Sequence, residues 1–397
     1  MTKKQGKGKP HDLVATVVAT RGNRTPSHGT QSGMTIAELK RHYETILKAG
    51  AIYYPVAFKF ERELGHGRQG RVFLGLRQGA RGCITEHAIK VFDPSLYRST
   101  EEYWTDMGRI ASQVSQLQRL QSPNLVSRHS YEETYGIGYT QMECIDGIDL
   151  SALLTKSHLD TARSRSTDDE WKVFSETIFS VRRGRVALQP GVVVYILRSV
   201  LRGLETLHER NFLHFDIKPG NIMIDRLGYV KVVDFGRAAV AGEDLTFLMG
   251  SPMYMAPETH RREIGGTQAD FYGVGLVGLE LLRGRTLVRS DIDEEDLLRI
   301  KMRLPGRLSS MLPENVLKNR YLVSILQRFI DPDPSKRHHS AKDAEAGDDG
   351  LKSVDKQFAQ AGMETEYARV LSDYLSKLVD MRTSRVEAEE APESRAS

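Results

Sequence analysis

The pattern of hydrophobic and polar positions in the first part of the chain predicts one helix followed by strands. Apolar residues recur every three or four positions behind a Thr35–Glu38 capping box and before Gly50, which predicts a helix within residues 34–54. From residue 58 the period becomes two, which is typical of strands. Strands are predicted at residues 58–64, 72–76, 84–92, 125–131 and 136–144, with one longer helix at residues 97–120.

Beyond residue 145 the apolar period is mainly helical. Helices are predicted at residues 149–154, 192–209, 270–282, 291–302 and 316–330. One exception is a short hairpin, in which the apolar runs 222–224 and 230–233 surround a Leu-Gly turn. The pattern therefore predicts an α+β chain with two lobes: a small β-rich N-lobe with one main helix, and a larger, mostly α-helical C-lobe.

Two segments leave alternatives open. In residues 156–188, Trp171, Phe174 and Ile178 have helical spacing next to a basic run at residues 182–185. This segment is either an inserted helix on the C-lobe or a specific docking element. In the tail, residues 347–397, a helix around 363–386 carries a short apolar seam. The seam packs on the chain's own domain or forms a dimer, with the first alternative favoured.

Composition narrows the class of protein. The 397 residues suffice for two lobes plus tails, and a net charge of +4 is too small to favour nucleic acid as a main partner. Two cysteines, Cys83 and Cys144, cannot form a disulfide framework and favour a cytoplasmic setting. No apolar run approaches the roughly 20 residues of a membrane span.

The N-terminal residues 1–33 read as a flexible basic leader. Up to Gly50 the sequence has nine Lys and Arg against three Asp and Glu. A short apolar run at residues 13–19 gives a weak likeness to a secretory signal, but Arg21 and Arg24 follow it, so export is disfavoured.

Candidate chemistry is concentrated in residues 213–236, which include Asp216, Asn221 and Asp234. The predicted hairpin brings the loops that carry these three side chains together. Carboxylate and amide oxygens are the ligands that a Mg²⁺ ion carrying phosphates needs. The stretch therefore predicts a metal and phosphate site beside a proton acceptor.

A glycine-rich turn at Gly65, Gly67 and Gly70 joins two predicted strands. Glycines let backbone N–H groups approach phosphate oxygens. A strand on each side excludes the dinucleotide-binding turn, which leads into a helix, and favours a lid over nucleotide phosphates. Lys90 follows in an apolar strand, where a lysine that reaches water is the ordinary interpretation and phosphate binding the alternative.

Five ordered motifs carry a family resemblance: G-H-G-R-Q-G-R-V, A-I-K, H-F-D-I-K-P-G-N, D-F-G and M-A-P-E. With them the chain resembles the eukaryotic-type (Hanks-type) serine/threonine protein kinases, and the compact catalytic loop is similar to that of bacterial members. The resemblance covers residues 55–346, with the N-lobe at 55–144, the C-lobe at 146–346 and an insert at 156–188.

The resemblance implies ATP and Mg²⁺ as cofactors and a protein substrate. It implies that Lys90 holds phosphates, that Asp216 accepts or orients the substrate proton, and that Lys218 steadies the transferred phosphate. It implies that Asn221 and Asp234 hold the metal. The implied ATP-binding residues are Leu64, Gly65, His66, Gly67, Arg68, Gly70, Val72, Ala88, Lys90, Met142, Glu143, Ile145, Asp149 and Met223. A structural pair of Glu258 and Arg337 is implied in the C-lobe.

Two departures from the family pattern affect regulation and activity. Phe215 stands where the family has an arginine that binds a phosphorylated activation segment. We therefore expect that activity depends little on phosphorylation of Thr246 or Ser251. Gln113 stands where the helix glutamate that pairs with Lys90 is expected, so that pair would be weaker.

These departures keep a second class of function open, a pseudokinase that acts as a nucleotide-binding scaffold. Retention of Lys90, Asp216, Asn221 and Asp234 favours the enzyme. A small-molecule kinase is disfavoured by residues 250–258, which resemble a platform for a peptide substrate.

Overall fold

A six-stranded antiparallel sheet and two helices form the N-lobe. Its strands lie in the order β1-β2-β3-β4-β6-β5. The elements are α1 Ile36–Ala49, β1 Ala51–Ile52, β2 Phe58–Gly67, β3 Gly70–Gln78, β4 Ile84–Phe92, α2 Thr100–Leu117, β5 Arg128–Thr134 and β6 Ile137–Glu143. Helix α1 begins with the Thr35–Glu38 capping box and ends at Gly50 in a left-handed conformation. Its apolar face joins the core of this lobe.

The computed structural model describes residues 34–67, 69–182, 184–234, 239–240, 251–263, 265–288, 292–360 and 366–378. The basic leader at residues 1–33, and the candidate residues Arg68 and Thr246, lie outside these ranges.

The C-lobe is built around the apolar helices α6 and α8, which contact each other. Its first elements are β7 Gly147–Asp149, α3 Leu150–Leu153, α4 Ser157–Ser164, α5 Asp168–Thr177, β8 Phe179–Arg182, β9 Arg185–Leu188, α6 Pro190–His208, β10 Phe212–Leu213, β11 Ile222–Asp225, β12 Val230–Val232 and β13 Ala239–Val240. There follow α7 Pro257–His260, α8 Thr267–Arg283, α9 Glu294–Met302, α10 Leu304–Met311, α11 Glu314–Leu317, α12 Arg320–Phe329, α13 Ala341–Ala346, α14 Leu351–Phe358 and α15 Tyr367–Ser376. The predicted α+β fold with a β-rich N-lobe and a helical C-lobe is confirmed.

Small sheets of the C-lobe lie next to the candidate site. Strands β12, β11 and β7 form one sheet, in which Met223 pairs with Asp149. Strand β10 lies at the start of residues 213–236, called the catalytic stretch below, and pairs antiparallel with β13, which follows the end of that stretch. The predicted hairpin is therefore anchored on both sides. No helix in the described part of the chain is long and apolar enough to cross a membrane.

The insert at residues 156–188 contains more than the single helix that its apolar spacing predicted. It forms α4, α5 and the hairpin β8–β9. The basic run lies at the hairpin turn, where Gly184 has a φ of 77°. Apolar and polar residues alternate over too few positions on each side of this turn to indicate a strand, so the hairpin was not predicted.

Two predicted helices differ in their bounds, and one helix of the tail was not predicted. The pattern at residues 316–330 is split into α11 and α12, because the Asn319 side chain accepts a hydrogen bond from Leu322 N and begins a new helix. The tail forms α14 where only polar chain was expected, with Leu351 and Val354 buried. Helix α15 begins at Tyr367 and ends at Ser376, short of the predicted residue 386, and residues 379–397 lie outside the described ranges.

Helix α15 packs on the insert and on the turn of the catalytic hairpin. The buried Tyr374 ring lies 5.3 Å from that of Phe174, and its hydroxyl bonds Nδ1 of the buried His158 at 2.5 Å. Ser372 donates to the carbonyl of Arg226 at 2.7 Å, next to the β11–β12 turn. The described part of the apolar seam, residues 367–378, thus packs on the chain's own C-lobe.

The exchange Tyr374→Phe is expected to destabilise the protein by about 1–3 kcal/mol, because it leaves the buried Nδ1 of His158 without its donor. Urea unfolding measures the loss. The matched control is Tyr321→Phe, since Tyr321 is 60% exposed and its change is expected to stay within about 0.5 kcal/mol. Equal midpoints for the two variants would contradict the contact.

Candidate active site

The catalytic stretch folds back on itself through the β11–β12 hairpin. Ile222 pairs with Val232, and the amide of Val233 donates to the carbonyl of Asn221 at 2.9 Å. A short 3₁₀ turn, Pro219–Asn221, closes the loop before the hairpin. This pairing sets Asn221 beside the residue that precedes Asp234. The structure therefore brings the three predicted oxygen ligands and acceptors into one place.

Asp216 lies at the centre of this loop and is 4% exposed. Its Oδ2 accepts hydrogen bonds from Lys218 Nζ at 2.7 Å and from Asn221 Nδ2 at 3.0 Å. Its Oδ1 accepts from the backbone N–H of Ser251 at 2.8 Å. Three donors thus fix the orientation of this carboxylate, and all three come from residues that the sequence analysis named, Ser251 there only as a candidate phosphorylation site.

Asp270, which the sequence analysis did not assign to the site, anchors the backbone that leads into Asp216. Its carboxylate accepts from the backbone N–H groups of His214 at 2.8 Å and Phe215 at 2.7 Å, and also bonds His208. Burial alone would raise the pKa of Asp270, but its interactions with His208, above all their hydrogen bond, and the N–H of His214 lower it below its usual range. An ionised carboxylate therefore anchors the segment that leads into Asp216. An acidic residue in the first turn of an otherwise apolar helix is the one signal that could have pointed to it.

His214 connects the two ends of the catalytic stretch. Its Nδ1 accepts from the N–H of Asp216 at 3.2 Å, so Nε2 carries the proton and donates to the carbonyl of Val233 at 3.2 Å. Burial lowers the pKa of His214, which favours this neutral form. The imidazole therefore acts as a bridge between the loop of Asp216 and the strand before Asp234.

Lys90 is buried, and its ammonium group bonds Asp234 and Gln69 rather than Gln113. Its Nζ donates to Oδ1 of Asp234 at 2.5 Å and to Oε1 of Gln69 at 2.9 Å. Gln113 is buried on α2, but among the described residues Lys90 makes no hydrogen bond to it. The assignment of Gln113 to the place of the helix glutamate therefore stays a prediction, and in this structure Gln69, a glutamine of the glycine-rich turn, bonds the ammonium. Sequence offers no signal for a contact between side chains 21 positions apart.

The side chain of Asp234 is 39% exposed, and its φ of 53° is an uncommon value for a residue with a side chain. Burial would raise its pKa, but the positive charges of Lys90, Arg128 and Lys218 together hold that pKa well below its usual range. Arg128, a buried residue of β5 that sequence analysis passed over, is thus a second cation near this carboxylate. Asp234 is therefore ionised near neutral pH.

The three glycines of the turn differ in what the protein itself requires of them. At Gly70, with a φ of 143°, an added Cβ would lie 2.0 Å from the carbonyl oxygen of Val91. At Gly65 and Gly67 an added Cβ would meet nothing within 4 Å. The fold alone therefore requires Gly70, while the two others leave open space on a turn above Lys90. Leu64 lies at a bulge between β2 and β3, and His66 is exposed near Glu63.

The proposed adenine-contacting side chains lie on both lobes. Val72, Ala88, Met142 and Ile145 belong to one hydrophobic cluster with the C-lobe core. The Glu143 side chain bonds Lys231 at 2.8 Å and its N–H donates to the carbonyl of Ser127 at 2.9 Å, so neither of these groups is left for a base edge.

The paired strands β7 and β11 form the C-lobe side of the proposed adenine site. Met223 lies opposite Asp149 in this pair. Asp149 also caps α3, accepting from Ser151 N at 2.9 Å and from Ala152 N at 3.0 Å. The capping contacts use Oδ1, so any ribose contact would fall to the other carboxylate oxygen.

Phe215 has its ring buried in the C-lobe. A Cβ on Gly265 would lie 2.9 Å from this ring, and Tyr254, Met255 and Ala256 line the same small cavity. The aromatic ring therefore supports the segment that follows Ser251 by packing. The place that the family pattern gives to a cation is apolar here.

Ser251 lies against the catalytic loop. Its hydroxyl accepts a hydrogen bond from Lys218 at 3.1 Å, and its N–H bonds Asp216. A hydroxyl in this position can serve as part of the site's hydrogen-bond network without being phosphorylated.

Glu258 and Arg337 form a bidentate pair at 2.6 and 2.8 Å in the interior of the C-lobe. Arg337 also donates to the carbonyls of Asp331 at 2.7 Å and Gln268 at 2.8 Å, and stacks 4.9 Å above the ring of Tyr272. The pair fixes α7, and with it the end of the segment that begins at Ser251.

The fold and this arrangement agree with the comparison to known protein families. The model of the protein kinase domain matches residues 58–346, and the chain belongs to this family. The resemblance to Hanks-type serine/threonine kinases is confirmed.

Similar proteins occur in bacteria and in yeast. The chain is 27% identical over 298 residues to the serine/threonine-protein kinase PrkC of Bacillus subtilis, covering 73% of this chain and 39% of that protein. It is 26% identical over 293 residues to the serine/threonine-protein kinase Pkn1 of Myxococcus xanthus, covering 72% and 36%. It is 27% identical over 288 residues to the MAP kinase kinase kinase wis4 of Schizosaccharomyces pombe, covering 68% and 18%. The chain spans well under half the length of these curated relatives.

Proposed function

We propose that the protein transfers the γ-phosphoryl group of ATP to serine or threonine hydroxyls of a protein substrate, possible self-transfer included. The observation that carries the proposal is the joint arrangement of Asp216, Asn221 and Asp234 around one cleft, with Lys90 bonded to Asp234. Phosphoryl transfer needs positioning and charge stabilisation more than covalent chemistry, and these groups supply both.

The glycine-rich turn fits a bound nucleotide. Open space at Gly65 and Gly67 lets backbone N–H groups approach phosphate oxygens. Lys90 lies beneath the turn and would exchange its bonds with Gln69 and Asp234 for α- and β-phosphate oxygens. The apolar side chains of Val72, Ala88 and Met223 would enclose adenine.

The oxygen groups fit a divalent cation, for which we propose Mg²⁺. Asp234 is held ionised, and Asn221 turns its amide nitrogen to Asp216, which directs its amide oxygen away from that carboxylate. Among the described residues no three His, Cys, Asp or Glu side chains form a metal cluster. The cation would therefore complete its shell with phosphate oxygens and water, as Mg²⁺ does in nucleotide sites, and would supply charge neutralisation on the phosphates.

Asp216 would orient the attacking hydroxyl and receive its proton. Its carboxylate is fixed by Lys218, Asn221 and Ser251 before any substrate enters. Lys218 Nζ lies between Asp216 and Ser251 and would contact the phosphoryl group in transit. The segment from Ser251 onward would support the substrate peptide.

A scaffold without catalysis is the alternative function that the sequence left open, because Gln113 and Phe215 stand where the family pattern has two charged residues. The bonded state of Asp216 and the charge of Asp234 favour the enzyme. The cytoplasmic setting remains a prediction from the low cysteine content.

The test is incubation of the full chain with γ-labelled ATP, Mg²⁺ and a generic protein acceptor, with a chelator-treated sample beside it. We expect label on serine and threonine of the acceptor or of the chain, and none after chelation. Nucleotide binding without label transfer in the presence of Mg²⁺ would support the scaffold.

Phosphatase treatment of the purified protein is expected to leave its rate of label transfer unchanged within about twofold, because the ring of Phe215 offers no charge to a phosphate. The rate before and after treatment, with mass spectrometry of Thr246 and Ser251, measures this. A loss of most activity that returns on rephosphorylation would contradict it. Alanine at Ser251 is a poor substitute for this test, because it also removes the hydroxyl that Lys218 contacts.

A further inference from the structure

Lys301, in the last turn of α9, is a fully buried lysine that lies outside the family motifs. Its side chain is 0% exposed. Its Nζ donates to the carbonyl oxygens of Pro252 and Met255, both at 2.6 Å, and lies 2.9 Å from Nε2 of His260. An ammonium has three N–H donors, and three acceptors surround this one.

Two of these acceptors belong to the segment that adjoins the catalytic loop. Ser251, directly before Pro252, donates its N–H to Asp216 at 2.8 Å and accepts from Lys218 at 3.1 Å. The segment is thus held by the catalytic loop at one end and by Lys301 along its backbone. A displacement of the Pro252 carbonyl would move the residue that touches Asp216.

The charges around Lys301 come from two helices. Burial lowers the pKa of Lys301 to about 7, while Glu258 on α7 and Glu294 on α9 act in the opposite direction. Burial and the Lys301 charge lower the pKa of His260 to about 4, so its imidazole is neutral near pH 7. Its Nε2, which also lies 3.1 Å from the Pro252 carbonyl, accepts from Nζ in the tautomer that carries the proton on Nδ1. An uncompensated buried ammonium is costly, and the carbonyl contacts together with the two carboxylates offset part of that cost.

We propose that Lys301 is a positioning residue for the protein substrate, which sets the backbone of residues 252–255 so that a substrate peptide lies correctly at Asp216. The proposal rests on the proposed protein kinase function. It assigns Lys301 no contact with ATP, because each of its contacts lies on the segment side of the catalytic loop.

Deprotonation should weaken this support. A neutral amine has only two donors for the three acceptors, so one carbonyl contact weakens unless His260 shifts its proton to Nε2. The KM for the protein substrate is therefore expected to rise as the pH passes about 7 and Lys301 loses its proton. The KM for ATP is not expected to show this rise near pH 7.

The test compares Lys301→Met with the matched control Arg299→Met, since Arg299 lies on the same helix but is 62% exposed. In Lys301→Met the KM for the protein substrate is expected to rise about 10- to 100-fold and to lose its change near pH 7, while the KM for ATP changes less than about twofold. Arg299→Met is expected to match the wild type. An unchanged KM for the protein substrate, or equal rises for both substrates, would overturn the proposal.

Two further measurements keep the test decisive. Hydrogen exchange of residues 251–262 does not depend on catalysis, and it is expected to accelerate in Lys301→Met but not in Arg299→Met. If the wild type transferred no phosphate, the proposed function would be refuted, but this measurement would still test the role of Lys301. If Lys301→Met does not fold, Lys301→Arg takes its place. A guanidinium does not titrate in this range, so its KM for the protein substrate is expected to be independent of pH near 7, and retention of the wild-type dependence would overturn the proposal.

Discussion

Exchange of Asp216 for asparagine is expected to lower the rate of phosphoryl transfer by about 10²- to 10⁴-fold, the usual contribution of a positioned proton acceptor. The amide keeps the size of the carboxylate but cannot take a proton. It also brings an NH₂ group toward the donors Lys218, Asn221 and Ser251, so one of those contacts is lost. ATP affinity is expected to change less than about threefold, because Lys90 and the glycine-rich turn are untouched.

Label transfer under single-turnover conditions and equilibrium binding of a fluorescent ATP analogue separate these two expectations. The control is Asp160→Asn, at an exposed position of α4, which is expected to behave like the wild type. A fall in transfer with retained binding supports Asp216 as the acting base. Equal transfer by wild type and Asp216→Asn would show that the observed label arises elsewhere, and would favour the scaffold.

Residues that act through backbone geometry or through local motifs were readable from the sequence. The glycines of the turn, Lys90 and the stretch from Asp216 to Asp234 lie in short segments whose spacing is itself the signal. Capping signals were equally local, as Thr35 and Glu38 illustrate. These features determine which elements form and which side chains share a loop.

Contacts between distant segments were not readable. Gln69 meets Lys90 because the β2–β3 turn folds over β4, and Lys301 meets Pro252 across 49 positions. The sequence pattern of α9 marks position 301 only as part of a helix, and a lysine there is ordinarily solvent-exposed. Side-chain pairing across such distances depends on how α7, α9 and the segment pack together, which no single-sequence period encodes.

Breaking the Glu258–Arg337 pair is expected to give the largest loss of stability, about 3–5 kcal/mol for Arg337→Met. Removal of the guanidinium leaves the carboxylate of Glu258, which is 3% exposed, without its bidentate partner. It also takes the donors away from the carbonyls of Asp331 and Gln268. Methionine fills much of the volume, so the loss reports on charge and hydrogen bonding more than on a cavity.

Urea unfolding of Arg337→Met against Arg369→Met measures this effect. Arg369 and Glu366 form an ion pair in which both side chains are more than two-thirds exposed, and such pairs contribute about 0–1 kcal/mol. Similar losses in the two variants would contradict an interior ion pair at Glu258. Glu258 lies in the first turn of α7, and His260 at the end of this helix contacts Lys301. Loss of the pair should therefore destabilise residues 251–262 more than it destabilises the N-lobe. In Arg337→Met, hydrogen exchange is expected to be faster in residues 251–262 than in β2–β4. The reverse order would show that the Glu258–Arg337 pair does not support residues 251–262.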